Sequence, residues 1–561
     1  MSAALVNHDG TPMRSTVPAR RAPAVHRGRH AASAWATDWT ERGQQATPFR
    51  AAEQASQELG GWNPPQQSPN TELWGARDAI VARSQDLGRN NGYATGINQA
   101  KLDAVIGTNW RLIALPNWRA LDLDFKTAAD WGRSTAAKWR VYAEDPGCWI
   151  DAARRLRFTG LLRTEFMTWL LSGEHCSVVK WMPDRVGPGR ARYATAFQLI
   201  DPDRLSNPYG ETESATLRQG VRVGPSGEPL GYHFRDAHPA DWPNAAASQV
   251  WSYVPRETPW GRPLAVHGFE VERDGQVRGR APMTSIIEAL RLQDVTSRAA
   301  ASQMILKSMY ATTLETEFGA DPESAKAVFG VDRETDAALP PNIDWQLNGV
   351  QVVTLPPGVR FKVNQLSGNE ATQFAQWEAA CLRRVAAGSG LSYEEVSKDY
   401  SQTNYSSARA AFQQSWKYLT GRSEFMANTS ADVKYACWLE EAINIGEVEL
   451  PRRKDGRLAA DFYEARAEWT ACRWIGPGRG WIDPVKEVTG SVMKVNANLS
   501  TLTDEAAEQG SDIRDILELR AYERDEFVEL GLPDQSAQVY RAGGGGGEDD
   551  KPSKPAKTEA A

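Results

Sequence analysis

An α+β chain, mainly α, is predicted by three features of the sequence. Apolar residues recur at helical spacing in five blocks between residues 71 and 446. Short strand-like runs bounded by turn residues fill residues 176–234, and a Pro-rich stretch over 313–366 separates two of the helical blocks. With 561 residues and 41% hydrophobic content, the chain can build a sizeable core over three or four domains.

The first helical block runs from Thr71 to Ile106 and breaks near Asn90-Asn91-Gly92. The next is expected from Ala152 to Leu171, with Leu156, Phe158, Leu162, Phe166 and Leu170 apolar, stopping before Gly173. Strands are expected at 176–181 and 196–200, the second closed by Asp201-Pro202. Val221 to Val223 and Leu230 to Phe234 flank Gly224-Pro-Ser-Gly227, the pattern of a hairpin. Pro282 then sits near the first position of a long helix, where its missing N–H costs nothing. Met283, Ile286, Ile287, Leu290, Met304 and Ile305 give that helix an apolar face, interrupted by Ala299 to Ala301. Small side chains there permit a close helix neighbour, although an ordinary core helix reads the same way. Strands such as 351–355 make the 313–366 stretch a compact α/β insertion. Phe374, Trp377, Cys381 and Val385 share one face of the next helix, which ends at Gly388-Ser-Gly390. A polar loop, Leu391 to Asn404, leads into a very long helix capped by Ser406 or Ser407 and carrying Ala411, Phe412, Trp416, Leu419, Phe425, Val433 and Cys437 on toward Gly446.

The ends are different. Residues 1–50 hold seven Arg against three acids without periodicity, and 1–54 reads as a disordered basic arm. Gly543 to Gly547 and the tail after them make 541–561 a flexible terminus. Formal net charge is −7, so removing the +4 of residues 1–50 leaves −11 for the rest, which lacks the basic footprint of a tight nucleic-acid binder. The five cysteines are scattered with no C-x-x-C pair, which points to neither a disulfide framework nor a zinc site and favours a reducing compartment. No signal peptide and no run of 18 apolar residues is present, so a soluble protein without a membrane span is expected. The 21 Trp residues, against 15 Tyr and 15 Phe, fit large packed contacts or simply lineage bias.

Catalytic signatures are missing. There is no G-x-x-x-x-G-K-S/T loop for a nucleotide-driven motor, no H-E-x-x-H and no G-x-S-x-G elbow. Gly476-Pro-Gly-Arg-Gly480 offers backbone amides to an anion, yet an ordinary turn explains it as well. Glu174 beside His175 is the most enzyme-like pair, but no third partner is evident, and a capped helix end entering a strand accounts for it. No catalytic residue, metal ligand or cofactor is assigned.

Several segments resemble the lambda family of phage portal proteins. They are residues 82–91 (ARSQDLGRNN) continuing to 105–107 (VIG), 198–205 (QLIDPDRL), and 276–280 (QVRGR). The sharpest match is 384–400 (RVAAGSGLSYEEVSKDY) with 404–409 (NYSSAR), followed by 437–441 (CWLEE), 474–479 (WIGPGR) and 482–484 (IDP). The likeness covers roughly residues 70–530. It implies a portal architecture with wing (55–280), stem helix (281–312), clip (313–366), second stem helix (367–390), tunnel loop (391–405), long spine helix (406–446) and C-terminal wing and crown helices (447–540). It further implies a homo-oligomeric ring, about a dodecamer, at one capsid vertex of the virion. Double-stranded DNA would pass through the channel during packaging and ejection, and assembly would take place in the host bacterial cytoplasm. The implied partners are the large terminase subunit, head-completion or tail connector proteins, scaffold and the major capsid protein. Tyr393, Glu394, Glu395, Lys398, Asp399, Tyr400 and Asn404 would face the channel, although a solvated linker fits the same residues. Another minor head protein, or a Trp-rich carbohydrate-active enzyme with paired carboxylates, remains open at this point.

Overall fold

The structure is a computed structural model that describes residues 62–309, 312–316, 359–363, 368–401, 403–457, 459–480 and 484–532. The chain divides into two units, Met1–Gln67 and Ser68–Ala561, and the account below concerns the second. The basic arm, the C-terminal tail and the strand expected at 351–355 lie outside the described residues.

The unit is α+β and mainly helical. Helices α1 (Pro69–Leu73), α2 (Arg77–Asn90) and α3 (Gly92–Val105) realise the first block. The predicted break falls at Asn91, whose side chain accepts from the Ala94 N–H and so caps α3. Strand β1 (Arg111–Ala114) and helix α4 (Phe125–Ala143) follow. Helix α4 was not among the expected elements, because Trp131, Trp139 and Tyr142 on its buried face are interleaved with Ala and Gly. Helix α5 runs Phe158–Ser172, not from Ala152. The six residues before it are held in turns by Asp151, whose carboxylate accepts from the N–H groups of Ala153, Arg155 and Leu156. Gly173, at φ 86, ends α5 as expected; a Cβ there would strike the backbone of Arg280 and Ala281.

Two antiparallel sheets come next. One has the order β3 (Thr195–Ile200), β2 (Glu174–Trp181), β8 (Ala265–Phe269). Its register pairs Cys176 with Ile200 on one side and with His267 on the other. The second is a meander of β4 (Leu217–Arg218), β5 (Val221–Val223), β6 (Pro229–Arg235) and β7 (Trp251–Pro255), in which the predicted hairpin is the β5–β6 pair. The first six residues of β2 are buried on both faces, so its sequence shows no two-residue alternation.

The first long helix, α6, spans Ile287–Met309. Pro282 is not its first residue, for 281–286 form tight turns closed by Thr284 N–H to Ala281 O and Ile286 N–H to Met283 O. Met283, Ile286 and Leu290 are buried, but Met304 and Ile305 are exposed, so the expected apolar face is covered only near its start. Strands β9 (Thr312–Thr316) and β10 (Val359–Val363) pair antiparallel at the base of the 313–366 insertion. Helix α7 (Gly368–Ser389) then returns beside α6.

The expected loop at 391–404 contains a helix, α8 (Tyr393–Ser397), because Ser392 and Glu395 form a reciprocal capping box. The long helix follows as α9 (Tyr405–Met426), a five-residue π-helical stretch (Ala427–Ala431) and α10 (Asp432–Asn444). Its cap is Asn404, which accepts from the Ser407 N–H, not Ser406 or Ser407. Helix α11 (Arg466–Trp469) precedes strand β11 (Cys472–Ile475), which pairs with β1 across more than 350 residues of sequence. Helices α12 (Pro484–Asn496), α13 (Leu502–Glu508) and α14 (Ile513–Glu529) complete the described chain and bury none of their residues.

The main core joins α3, α4, α5, α7 and α10. Trp139 stands at its centre, edge-on to Tyr142, Phe158, Tyr435, Trp438 and Trp474 with ring centroids 5.1–6.1 Å apart. Such pairs add about 0.5–1.5 kcal/mol each beyond burial, so Trp139, Trp438 and Trp474 cement segments from both halves of the sequence. The five cysteines are free, in line with the absence of a disulfide framework.

Candidate functional site

The seven residues singled out between α7 and α9 divide into two groups. Four shape the segment. Glu395 Oε2 accepts from the Ser392 N–H (2.9 Å), Ser392 Oγ (2.8 Å) and Ser415 Oγ on α9 (2.6 Å). Glu394 accepts from Thr403 Oγ1, Asn404 caps α9, and the Tyr393 ring lies under the Arg383 guanidinium at 5.0 Å. The other three, Lys398, Asp399 and Tyr400, form the exposed tip. Lys398 ends α8 in the left-handed conformation at φ 58, an unusual position for a residue with a side chain. Hydrogen bonds from the Ser401 hydroxyl and N–H lower the Asp399 carboxyl below its usual value. A cavity of about 560 Å³, lined by Asn91, Tyr93, Asp294, Arg298, Val396 and Lys398, separates this tip from α6 and the α2–α3 corner.

Two buried ionic clusters lie elsewhere in the fold and hold distant segments together. In the first, Glu174, at the start of β2, is fully buried. It accepts from Arg278 Nη2 (2.5 Å), Arg77 Nη2 (2.6 Å), His267 Nε2 (2.9 Å) and the Gly279 N–H (3.0 Å). Arg278 also donates to the carbonyls of Pro202, Leu205 and Gln219. Burial alone would raise the Glu174 carboxyl, but Arg278 and Arg77 hold it well below the ordinary range. Asp203 and the exposed Asp78, 3.6 and 3.5 Å from Arg77, add two further carboxylates to the two guanidiniums. The pair Glu174-His175 therefore does have third partners, supplied by residues about 100 positions away in both directions. They serve packing: three chain segments and the start of the turns into α6 converge on one carboxylate.

In the second, Glu165 on α5 meets Lys434 Nζ (2.7 and 2.9 Å) and Ser430 Oγ at the π-helical stretch. His175 Nε2 is 3.1 Å from Thr429 Oγ1 beside it. A π turn places one extra residue in the helix and marks a local departure from regular packing; here it brings Thr429 and Ser430 to the buried charges. Burial lowers the His175 pKa from 6.5 to about 4, the nearby Glu165 opposing only in part. The folded protein thus carries neutral His175 where the unfolded chain is protonated, and ionised Glu174 where the unfolded chain is neutral. Both differences make the unfolded state bind more protons. Stability is expected to fall as the pH drops from about 6.5 toward 4, with the Glu174 contribution adding at the acid end. Urea midpoints across that range check it, and His175→Phe should flatten the upper part of the curve.

Sequence spacing held a clue to the second cluster. Glu165 follows Leu161 by four residues and Leu162 by three, and Lys434 stands between Val433 and Tyr435; both charges occupy positions where the helix face is apolar. Nothing local pointed to Arg77, Arg278 or His267. The Gly476–Gly480 turn leaves β11 and packs on the end of α13, its Arg479 N–H bonded to the Glu508 carbonyl. Asp201, Asp203 and His238 bring polar atoms within 4.8 Å of one another, but Asp203 already receives Gln85 and Arg77, and Asp201 caps a turn at Asp203.

What these features define is a mainly helical α+β protein in which two long helices pack side by side and buried charges lock distant segments together. The family model described as phage portal protein, lambda family, matches residues 55–422. The portal protein of Escherichia phage N15 is 35% identical over 500 residues, covering 87% of this chain and 92% of the relative. Portal protein B of Escherichia phage lambda is 34% identical over 501 residues, covering 87% and 91%. Among solved structures, the neck of an empty GTA (gene transfer agent) particle is similar at 13% identity and a TM-score of 0.43, covering 81% of this chain and 97% of that one. The chain belongs to the lambda family of phage portal proteins. Portal function and a place in the phage virion follow from that membership, and among the described residues no helix is long and apolar enough to cross a membrane.

Proposed function

We propose that about twelve copies of this chain close side by side into a ring, with α6 and α7 lining or bracing a bore for double-stranded DNA. The observation that carries this reading is the bare outer face of the long-helix pair. Leu292, Val295 and Ile305 on α6 are 52%, 47% and 59% exposed, next to a groove of about 420 Å³ lined by Phe374 and Trp377 of α7. Exposed apolar surface of this kind favours a protein neighbour, and head-to-tail contacts close into a ring when the rotation permits. The tip residues Lys398, Asp399 and Tyr400, with Tyr393, Glu394, Glu395 and Asn404 behind them, would present the segment between α7 and α9 to the DNA. The net negative subunit suits sliding, since a duplex carries about one charge per 1.7 Å and a strongly basic wall would hold it.

In this reading the 313–366 insertion meets the large terminase subunit during packaging and head-completion or tail connector proteins afterwards. Scaffold and major capsid protein contact the ring as it is built in the host cytoplasm, and the protein acts as a passive conduit, not as an enzyme. Leu292→Glu together with Val295→Glu is expected to abolish ring formation in sedimentation velocity while leaving the circular dichroism spectrum of the subunit unchanged. Unaltered rings would remove α6 from the interface. Lys398→Ala should lower DNA retention in packaged particles severalfold, because one phosphate contact per subunit is repeated around the ring; unchanged retention would take Lys398 out of the DNA path.

A further inference from the structure

A half-open cavity of about 400 Å³ lies away from the long helices, where β1, the end of α4 and the start of α5 meet. Its lining contains Arg111, Arg140, Arg157 and Arg163, against Glu144 as the one acidic residue. The four guanidiniums are met by three carboxylates, Glu144 in the lining and Asp103 and Asp515 beside it, which leaves a local positive excess in a chain of net charge −7. Trp110, Trp139 and Phe158 form the apolar wall behind them.

The four arginines are engaged to different degrees. Arg163 is held by the Gly107 carbonyl (2.6 Å) and Asp103 (3.0 Å). Arg111 and Arg140, from different elements, both point to a single oxygen, Oδ2 of Asp515 in the first turn of α14, at 3.1 and 3.4 Å. Arg157 has no ion-pair partner among the described residues. It occupies the N-cap of the 15-residue helix α5, where its side chain supplies no acceptor to the first-turn N–H groups. Positive guanidiniums and free helix-start amides around a cavity make a site for a tetrahedral oxyanion. Asp515 shows where the negative charge sits, for its carboxylate already takes that place from the rim.

We infer that this cavity is a phosphate site, and that Asp515 is its built-in competitor, holding α14 against the body of the subunit until a phosphate displaces it. The inference is independent of ring formation and of the segment between α7 and α9. The phosphate can be free or part of a nucleic-acid backbone, and the two sources are separable. Calorimetric titration of the full chain with inorganic phosphate, and separately with a short blunt DNA duplex, is the test, at low salt because the rim contacts are screened. Asp515→Asn removes the competitor and is expected to tighten phosphate binding by about tenfold, the usual scale of one charge-assisted hydrogen bond. Arg157→Ala removes an exposed side chain and is expected to weaken it severalfold, and it guards against a loss of α14 in the first variant. If both ligands follow this pattern, the site takes backbone phosphate; if inorganic phosphate alone does, it takes a free anion. Titrations in which neither variant changes the affinity of either ligand, or in which neither ligand binds, overturn the inference.

Discussion

Replacing Glu174 with glutamine is expected to destabilise the subunit by about 3–5 kcal/mol, a large part of the total stability of a typical domain. The exchange keeps size and shape, so the loss comes from charge. Arg278 and Arg77 would be left buried with only Asp203 and the exposed Asp78, both on the Arg77 side, as counter-charges, and the new amide would turn N–H donors toward guanidiniums that are donors themselves. Arg278→Lys should be nearly as harmful, because one ammonium cannot reproduce bonds to a carboxylate and three separate carbonyls. Urea unfolding measures both. A cost under about 1 kcal/mol for Glu174→Gln would mean that the cluster is not the anchor of the segment entering α6.

The second large effect is expected at the π-helical stretch. Lys434→Met strands the Glu165 carboxylate in the core with Ser430 as its remaining donor, again at about 3–5 kcal/mol. Combining it with Glu165→Gln removes both charges, and most of the loss should return, because a buried ion pair replaced as a whole is often neutral. The double-mutant cycle is the measurement. If the double variant is as unstable as the sum of the singles, the pair contributes nothing jointly, and the π turn is held by packing alone.

The two clusters show where a sequence informs and where it stops. Helices α2, α3, α5, α6, α7 and α9 with α10 were legible because their apolar residues repeat at helical spacing, and the β5–β6 hairpin because its turn carries Gly and Pro. Helix α4 was not, since its large aromatics are separated by small residues. Helix α8 was not, because five residues are too few to show a period, although Ser392 and Glu395 spell its capping box. Strand β2 hid its role for the opposite reason: it is buried on both faces and carries Glu174, His175 and Ser177 inward. Of the seven residues expected to face the channel, local hydrogen bonding engages Glu395 and the exposed Asn404 as caps, a role their spacing from Ser392 and Ser407 already encoded.

Electron microscopy of the purified full-length chain addresses the central claim without intermediaries. Closed rings of about twelve subunits with an open axial channel are the expected images. A preparation that stays monomeric at every protein concentration and under every assembly condition, or that forms closed particles with no central opening, would contradict the proposal that this polypeptide encircles DNA.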